Sequence, residues 1–326
     1  MTVSSLSTGL HVVLGAGPAG RAVARALIEQ DARVRIVSRS GSAIGLPSGV
    51  ETHWTDLSKL DKAKDAMADA SVVYHCAAPP YQHWIRDFEN LQDSIVDAVS
   101  GTAARLVVLD NLYGYGVNGV LTEALPYKAT GPKGRLRARM AAKLLDDHNT
   151  GRISVTIARA SDFIGPEVRV ASLGERFWPQ LLEGKTVQWF GNPEAAHSYT
   201  YVPDLAAAMI ELGSQETALG RVWHVPSLAA ISLADLAHRA EKLAGAPNHK
   251  IAITPKITMR LVGLFVPAAG EMIEVGYQFD RPFVLSSKAY RQHFKTGSTD
   301  LETALTTTID WWRDQAGAGR DAHFAA

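Results

Sequence analysis

Residues 11–39 read HVVLGAGPAGRAVARALIEQDARVRIVSR, and this stretch decides the fold. The apolar run 12–14 is too short to span a membrane and suits a buried parallel strand. Gly15, Gly17 and Gly20 follow it with the spacing G-x-G-x-x-G, and a helical pattern and a second apolar run come next. In that spacing the first glycine makes a tight turn, the second lets the backbone approach a pyrophosphate, and the third lets helix pack on strand.

This context predicts a dinucleotide-binding site at the start of the chain. The residues expected to hold the cofactor here are Gly15, Gly17, Pro18, Ala19 and Gly20. Pro18 suits the first helical turn, where its missing N–H costs nothing. The alternative is a glycine turn that only joins strand to helix.

Length and composition narrow the class of protein. The chain has 326 residues, of which 46% are hydrophobic and 20% are charged, so it can form one large or two modest folded domains. Its 33 basic and 33 acidic residues balance, so no net positive charge favours binding to nucleic acid or to an anionic membrane. The single cysteine, Cys76, excludes an internal disulfide, and the eleven histidines are scattered without metal-ligand spacing. We expect a cytoplasmic protein with no nucleic-acid, membrane or metal partner.

The residues that follow the second apolar run, 34–37, indicate whether NAD or NADP is preferred. NAD-preferring sites place an acidic residue near this point to bind the ribose 2′-hydroxyl. Here Ser38 and Arg39 stand there, and a guanidinium can pair with a 2′-phosphate. The sequence therefore predicts NADP rather than NAD, with a solvated loop arginine as the alternative.

Other cofactor contacts are expected after the later strands, because ligands bind at the carboxyl ends of a doubly wound sheet. Asp56 could accept from the adenine amino group, although an aspartate that only stabilises the turn is almost as plausible. The other predicted contacts are Leu57 after the third strand, Ala77, Ala78 and Pro79 after the fourth, and Ala160 and Ser161 after the sixth.

The fifth predicted strand, residues 106–109, leads into Asp110-Asn111-Leu112-Tyr113-Gly114-Tyr115. Its tyrosines and glycines make this loop a candidate floor of the active site. The next helix, predicted to begin near Gly134, carries Arg135, Arg139 and Lys143 on one face at intervals of four residues. That stripe is either a solvated face or an anion-recognition surface.

Strict strand–helix alternation breaks after Pro166. We therefore predict an α/β fold, a Rossmann doubly wound parallel sheet, with a smaller mixed substrate domain. Residues 1–165 and 200–226 are assigned to the dinucleotide-binding domain, and residues 167–199 and 227–326 to the substrate domain.

Four stretches resemble the extended short-chain dehydrogenase/reductase family, of the NAD(P)-dependent epimerase/dehydratase type. They are VLGAGPAG, VVYHCAA, RASDFIGP and SYTYVPDLAAAMI, and the resemblance runs from about residue 11 to residue 312. It implies a Rossmann fold, a nicotinamide cofactor and catalysis by a serine and a tyrosine–lysine pair with the spacing Y-x-x-x-K.

This chain departs from that catalytic pattern. Matching the family's lysine to Lys143 puts Arg139 at the tyrosine position, and the serine position falls on Leu109. Such a pattern resembles the atypical branch of the superfamily. The resemblance then implies that Lys143 lies near the nicotinamide ribose. Because Tyr113 follows the fifth strand and faces the expected nicotinamide, we predict that it is the proton donor. Asp110 and Asn111 could orient it or polarise a carbonyl. Tyr115 and Ser161 are the next candidates for the acid.

The expected function is NADP-dependent oxidation or reduction of a small carbonyl or alcohol substrate. The alternatives are a non-catalytic NADP-sensing protein and an NAD(P)-dependent epimerase or isomerase. In the family, helices corresponding to residues 84–100 and 136–149 form a dimeric four-helix contact, which implies a homodimer. Acidic residues of the first helix would offset arginines of the second.

Overall fold

The computed structural model describes residues 9–39, 45–255 and 274–324, with side chains as far as residue 316. Its strands are β1 (Leu10–Leu14), β2 (Arg33–Ser38), β3 (Glu51–Trp54), β4 (Ala70–His75), β5 (Arg105–Asp110), β6 (Gly119–Leu121), β7 (Ser154–Arg159), β8 (Asp162–Ile164), β9 (Thr186–Trp189), β10 (Tyr199–Tyr201), β11 (Val222–His224), β12 (Lys250–Ile253) and β13 (Phe283–Leu285). Its α-helices are α1 (Pro18–Ile28), α2 (Leu60–Ala66), α3 (Trp84–Val99), α4 (Pro132–Asn149), α5 (Trp178–Leu182), α6 (Val202–Ser214), α7 (Leu233–Ala244), α8 (Lys288–Phe294) and α9 (Leu301–Phe324).

A parallel sheet of seven strands forms the centre of the described chain, in the order β11-β7-β5-β4-β1-β2-β3. Helices cover both of its faces, which explains why β1 is buried along its whole length. One hydrophobic core lies between the sheet and helices α1 and α6, and a second lies between the sheet and α2, α3 and α4. The predicted doubly wound α/β class is confirmed.

The strand order reverses beside β1, since β2 lies on one side of it and β4 on the other. In open α/β sheets a crevice forms at this reversal, at the carboxyl ends of the strands. The loops that follow β1, β4, β5 and β7 therefore meet at one edge. Every candidate contact of the cofactor and substrate is expected there.

A third hydrophobic core lies outside this sheet and extends from Ile164 to Trp312. It includes side chains from α5, α7 and the first part of α9. Three two-stranded pairs, β8 with β10, β9 with β12 and β6 with β13, lie outside the seven-stranded sheet of the described chain. We retain the predicted division of the chain into two domains as a proposal.

Two helices, α7 and α6, differ in whether a polar side chain near the start of the helix caps it. Ser232 caps α7, because its hydroxyl accepts from the amide of Asp235, and the helix ends at Gly245 with φ of 56°. Asp204, in contrast, does not cap α6, which begins earlier at Val202. Its carboxylate instead accepts from the amide and hydroxyl of Thr299. No helix within the described ranges is long and apolar enough to cross a membrane.

Candidate functional site

The glycine turn after β1 has the geometry that its spacing predicts. Gly15 has φ of 100°, and a Cβ there would lie 2.8 Å from the Cα of Ala77, so this turn contacts the loop after β4. A Cβ on Gly20 would lie 1.9 Å from the carbonyl oxygen of Gly15. A Cβ on Gly17, however, would meet no described atom within 4 Å. The backbone at Gly17 is therefore accessible to a ligand, whereas the other two glycines are required by packing.

The N-terminus of α1 begins at this turn. Gly17 occupies the N-cap position without a side-chain cap, and Pro18 follows in the first turn. Ala19 is buried, which directs its side chain toward the protein interior. Free backbone amides and the helix dipole make such an end suitable for a pyrophosphate. The residues present thus fit a dinucleotide.

The cation Arg21 lies beside the same turn. Its Nε donates to the carbonyl oxygen of Ala16 at 2.8 Å. Glu167, which follows β8, pairs with Arg25 at 2.9 Å and lies 3.8 Å from Arg21. These contacts join the glycine turn to the segment that leads away from the central sheet.

The end of β2 carries the predicted determinants of cofactor preference. Ser38 is buried, and its hydroxyl has no hydrogen-bond partner among the described residues. Arg39 is exposed next to it. No acidic side chain stands at either position.

Asp56 takes part in a local turn after β3. Its Oδ1 accepts from the amide and hydroxyl of Ser58, at 3.1 and 2.8 Å, and these bonds lower the pKa of the carboxyl, with a smaller effect of Arg39. Leu57 is buried in the core. The turn role of Asp56 is therefore present, and its contact with adenine stays a prediction.

The predicted cofactor contacts in the loop after β4 differ in their exposure to solvent. Ala77 is partly exposed and Ala78 is exposed, whereas Pro79 is buried. On the other side of the crevice, Ala160 is buried in the core and its amide donates to the carbonyl oxygen of Asp110. The amide of Ser161 donates to Thr200 Oγ1, and the Ser161 hydroxyl has no partner among the described residues. Ala160 therefore has a packing role.

Tyr113 lies in a single 3-10 turn, Tyr113–Tyr115, directly after β5. Asn111 fixes this turn, because its side-chain oxygen accepts from the Tyr113 amide at 3.1 Å. The Tyr113 ring packs against Trp84 with 6.0 Å between ring centroids. Burial, the neighbouring Tyr81 and the carboxylate of Asp162 raise the pKa of Tyr113 well above its ordinary value. Its hydroxyl is therefore protonated at neutral pH.

Lys133 lies against Tyr81, which neighbours this tyrosine. It lies in the first turn of α4, is 3% exposed, and its Nζ is 3.7 Å from the centroid of the Tyr81 ring. The helix approaches Tyr113 closely, since a Cβ on Gly134 would lie 2.8 Å from the Tyr113 carbonyl oxygen. Glu274 holds the start of the helix by accepting from the amides of Lys133 and Gly134. Tyr81, Tyr113 and Lys133 form what we call the tyrosine–lysine cluster.

The structure corrects the predicted position of Lys143. Its ammonium bonds Asp93 of α3 at 2.6 Å, on a face where its side chain is 49% exposed. Arg139 pairs with Glu89 on the same exposed surface. Ten residues of helix separate Lys143 from Lys133, which is about 15 Å along the axis. The prediction that Lys143 lies near the nicotinamide ribose therefore does not agree with this ion pair, and the basic stripe is a solvated face.

Lys133 was missed because the helix was expected to start two residues too late. Pro132 occupies the first helical turn, a position where proline is common, and this signal would have placed Lys133 inside the helix.

Two further candidates for the acid have structural roles instead. Tyr115 is buried, and its hydroxyl lies 2.7 Å from Nε2 of His224. Asp110 is bonded on one oxygen by Arg137, at 2.5 Å, and on the other by Arg159, at 2.7 Å. Although burial opposes ionisation, these guanidiniums hold the pKa of Asp110 below its ordinary value. Neither side chain is free to exchange a proton with a substrate.

Comparison with known proteins agrees with this geometry. The sequence profile of the NAD dependent epimerase/dehydratase family matches residues 11–225. No curated protein sequence matches the chain significantly.

Several solved structures share the fold. Epimerase Mth375 from Methanothermobacter thermautotrophicus is 15% identical, with a TM-score of 0.80 over 98% of this chain and 96% of that one. UDP-glucuronic acid 4-epimerase from Bacillus cereus, in complex with NAD, is 18% identical, with a TM-score of 0.74 over 93% and 96% of the two chains. UDP-glucose 4-epimerase from Thermotoga maritima, with UDP-glucose, is 17% identical, with a TM-score of 0.76 over 94% and 99%. At these identities the likeness concerns the fold.

Proposed function

Because this chain belongs to the NAD dependent epimerase/dehydratase family, we propose that it is an NADP-dependent oxidoreductase that reduces a small carbonyl compound to an alcohol. Membership of the family makes it a nicotinamide-dependent enzyme of the extended short-chain dehydrogenase/reductase type. The direction of the reaction, the choice of NADP and the substrate class are our proposals.

The tyrosine–lysine cluster is the observation that carries this proposal. Reduction of a carbonyl requires a proton for the developing alkoxide, and a tyrosine with a raised pKa stays protonated until that charge forms. The ammonium of Lys133, held nearby over the Tyr81 ring, adds positive charge where negative charge develops. We therefore assign Tyr113 as the proton donor, with Asn111 fixing its turn.

A bound nicotinamide cofactor supplies the hydride in this chemistry. The amides at the start of α1 would hold its pyrophosphate, since the backbone at Gly17 is open. Ser38 and Arg39 would receive the 2′-phosphate, because the Ser38 hydroxyl lacks a partner among the described residues and Arg39 is exposed beside it. These contacts favour NADP over NAD.

An epimerase is the second candidate, because the similar structures from Bacillus cereus and Thermotoga maritima are epimerases of UDP-sugars. Epimerisation through oxidation begins with removal of a proton from a substrate hydroxyl, which needs a tyrosinate. The raised pKa of Tyr113 disfavours that ion, so we rank reduction first.

The test combines a screen of aldehydes and ketones with a matched pair of variants. With NADPH present, the unmodified protein should consume the reduced cofactor, and Tyr113→Phe should lower turnover by ~10²-fold or more with NADPH affinity unchanged. Tyr127→Phe is the control, because its hydroxyl accepts from Arg159 in the structural ion pair. Conversion of a UDP-sugar without net cofactor consumption would favour the epimerase. Cofactor binding without turnover of any compound would favour an NADP sensor.

We further propose a cytoplasmic homodimer formed through α3 and α4. Ile85 is an exposed apolar side chain on α3. The exposed acids Glu89 and Asp93 pair with basic residues of the same chain, so they do not neutralise a partner's arginines as expected. Sedimentation showing only monomer at micromolar concentration would contradict the dimer.

A further inference from the structure

A small cavity lies beside His197, whose ring is bonded to Asp162. Its volume is about 10 Å³, which is room for a single oxygen atom. Trp189, His197, Tyr199, Leu233 and Phe279 are among the residues that line it. The His197 ring is held in place by stacking on Phe279 at 5.1 Å.

Three buried polar atoms, one on each of three residues that line the cavity, have no hydrogen-bond partner among the described residues. They are Nε1 of Trp189, Nδ1 of His197 and the hydroxyl of Tyr199. These residues are 8%, 3% and 1% exposed, so water at the protein surface does not solvate them. Buried polar atoms are almost always bonded, because leaving one without a partner is costly. Three of them around one cavity indicate a ligand atom between them.

The identity of that atom follows from the hydrogens that the walls carry. Nε2 of His197 is 2.7 Å from Oδ2 of Asp162, and a carboxylate oxygen can only accept, so Nε2 carries the hydrogen. In the neutral ring Nδ1 is then an acceptor. The indole of Trp189 can only donate, and the hydroxyl of Tyr199 can do either. With the ring in this neutral form, the complementary atom both donates and accepts, as the oxygen of a hydroxyl group or of water does. A carbonyl oxygen cannot donate to Nδ1, and an ammonium cannot accept from the indole.

Asp162 connects this cavity to the reaction site. It begins β8, immediately after the loop that follows β7. Asp110 at the end of β5 pairs with Arg159 at the end of β7, so the turn that carries Tyr113 and the loop that leads to Asp162 leave the sheet side by side. The Asp162 charge also raises the pKa of both Tyr113 and Tyr199. A substrate group bound in the cavity would consequently be held a short distance from Tyr113.

We propose that Trp189, His197 and Tyr199 bind one hydroxyl group of a hydroxylated carbonyl substrate, and that Asp162 holds His197 in the form that accepts from it. This inference rests on the proposed reductase function, because it treats the cavity as part of the substrate site. It adds the class of substrate to that proposal. Without substrate, a water molecule has the same hydrogen-bonding capacity and occupies the same position.

The experiment measures binding without turnover, in the full-length protein saturated with NADP in its oxidised form. The probes are hydroxyacetone and acetone, which differ by one hydroxyl group. The readout is the NMR signal of the Trp189 indole N–H, assigned with Trp189→Phe. Hydroxyacetone should shift this signal, and acetone should leave it unchanged at the same concentration. The indole of Trp178 is an internal control, because its N–H already donates to the Leu173 carbonyl.

Variants then test the individual bonds. Tyr199→Phe and His197→Asn should each weaken hydroxyacetone binding by about tenfold, the upper range for one lost neutral hydrogen bond, and leave NADP affinity unchanged. Tyr199→Phe should retain the melting temperature of the unmodified protein to within a few degrees, since it removes a hydroxyl that has no partner in the described chain. Tyr290→Phe is the matched control, because its hydroxyl donates to Glu211 outside the cavity.

Three results would overturn the proposal. They are an equal shift with acetone, no shift with either probe, and a water signal at the Trp189 N–H that hydroxyacetone does not displace. The last would make the cavity a structural water site only. Failure of the reductase function would appear separately, as absence of NADPH consumption in the turnover screen, and would leave this binding result unaffected.

Discussion

Replacement of Lys133 by methionine should lower carbonyl reduction by ~10²-fold, whereas the same replacement of Lys143 should change it less than about twofold. The two lysines lie on one helix, and each substitution removes one positive charge while keeping an unbranched side chain. Lys133 is buried with its Nζ 3.7 Å from the Tyr81 ring centroid. Lys143 is half-exposed and paired with Asp93.

The magnitude follows from the position of the charge. A positive charge at roughly 5 Å from a developing alkoxide is worth about 3 kcal/mol at an effective dielectric constant of about 20. That free energy corresponds to ~10²-fold in rate, since each tenfold requires about 1.4 kcal/mol. Lys143 is about 15 Å further along the helix, and solvent and salt screen charges beyond about 10 Å.

The assay is kcat/KM, measured by nicotinamide absorbance with one substrate for all three proteins. NADPH affinity and circular dichroism are measured alongside, because loss of the contact with Tyr81 removes up to about 2 kcal/mol of stability. A loss below about threefold for Lys133→Met, or an equal loss for Lys143→Met, would refute the reasoning.

Three further predictions concern the cofactor, acid stability and the buried ion pairs. Arg39→Ala should reduce the preference for NADP over NAD by about tenfold or more, as measured by the two dissociation constants; equal affinities in the unmodified protein would contradict this. The pKa values of His75 and His224 are lowered by burial from 6.5 to about 3, so the folded state resists protonation that the unfolded chain accepts. The free energy of unfolding should therefore be highest above pH 6.5 and fall as the pH drops toward 3. At pH 5 the expected loss is about 2 kcal/mol per histidine. Denaturant unfolding at pH 7 and at pH 5 tests this, and equal stabilities at the two pH values would count against it. Asp110→Asn should lower the free energy of unfolding by about 3–5 kcal/mol, because it leaves two buried guanidiniums without their counter-charge. Asp93→Asn, which breaks an exposed ion pair, should lower it by less than about 1 kcal/mol. Similar unfolding midpoints for the two variants would disprove the difference.

Local sequence signals predicted the fold class and several of its details. The glycine spacing at residues 15–20 is decisive because Gly20 is required by its close approach to the Gly15 carbonyl, and Gly15 by its contact with the loop after β4. Gly17 leaves the backbone open to a ligand. The cap at Ser232 and the helix end at Gly245 are equally local. Periodicity placed α3 and the central strands to within one or two residues, because burial on one face or on both leaves a repeat in the sequence.

The sequence by itself determined a doubly wound sheet with a glycine turn suited to a dinucleotide. Only the tertiary structure decided which side chains share the reaction site. Lys133 meets Tyr81 across 52 positions of chain, and Asp162 meets His197 across 35. Such pairs depend on how helices and loops from separate strands converge at one edge of the sheet. The sequence alone does not tell whether a charged side chain is buried in the crevice or exposed to solvent. Lys133 and Lys143 therefore cannot be distinguished until the packing of their helix is known.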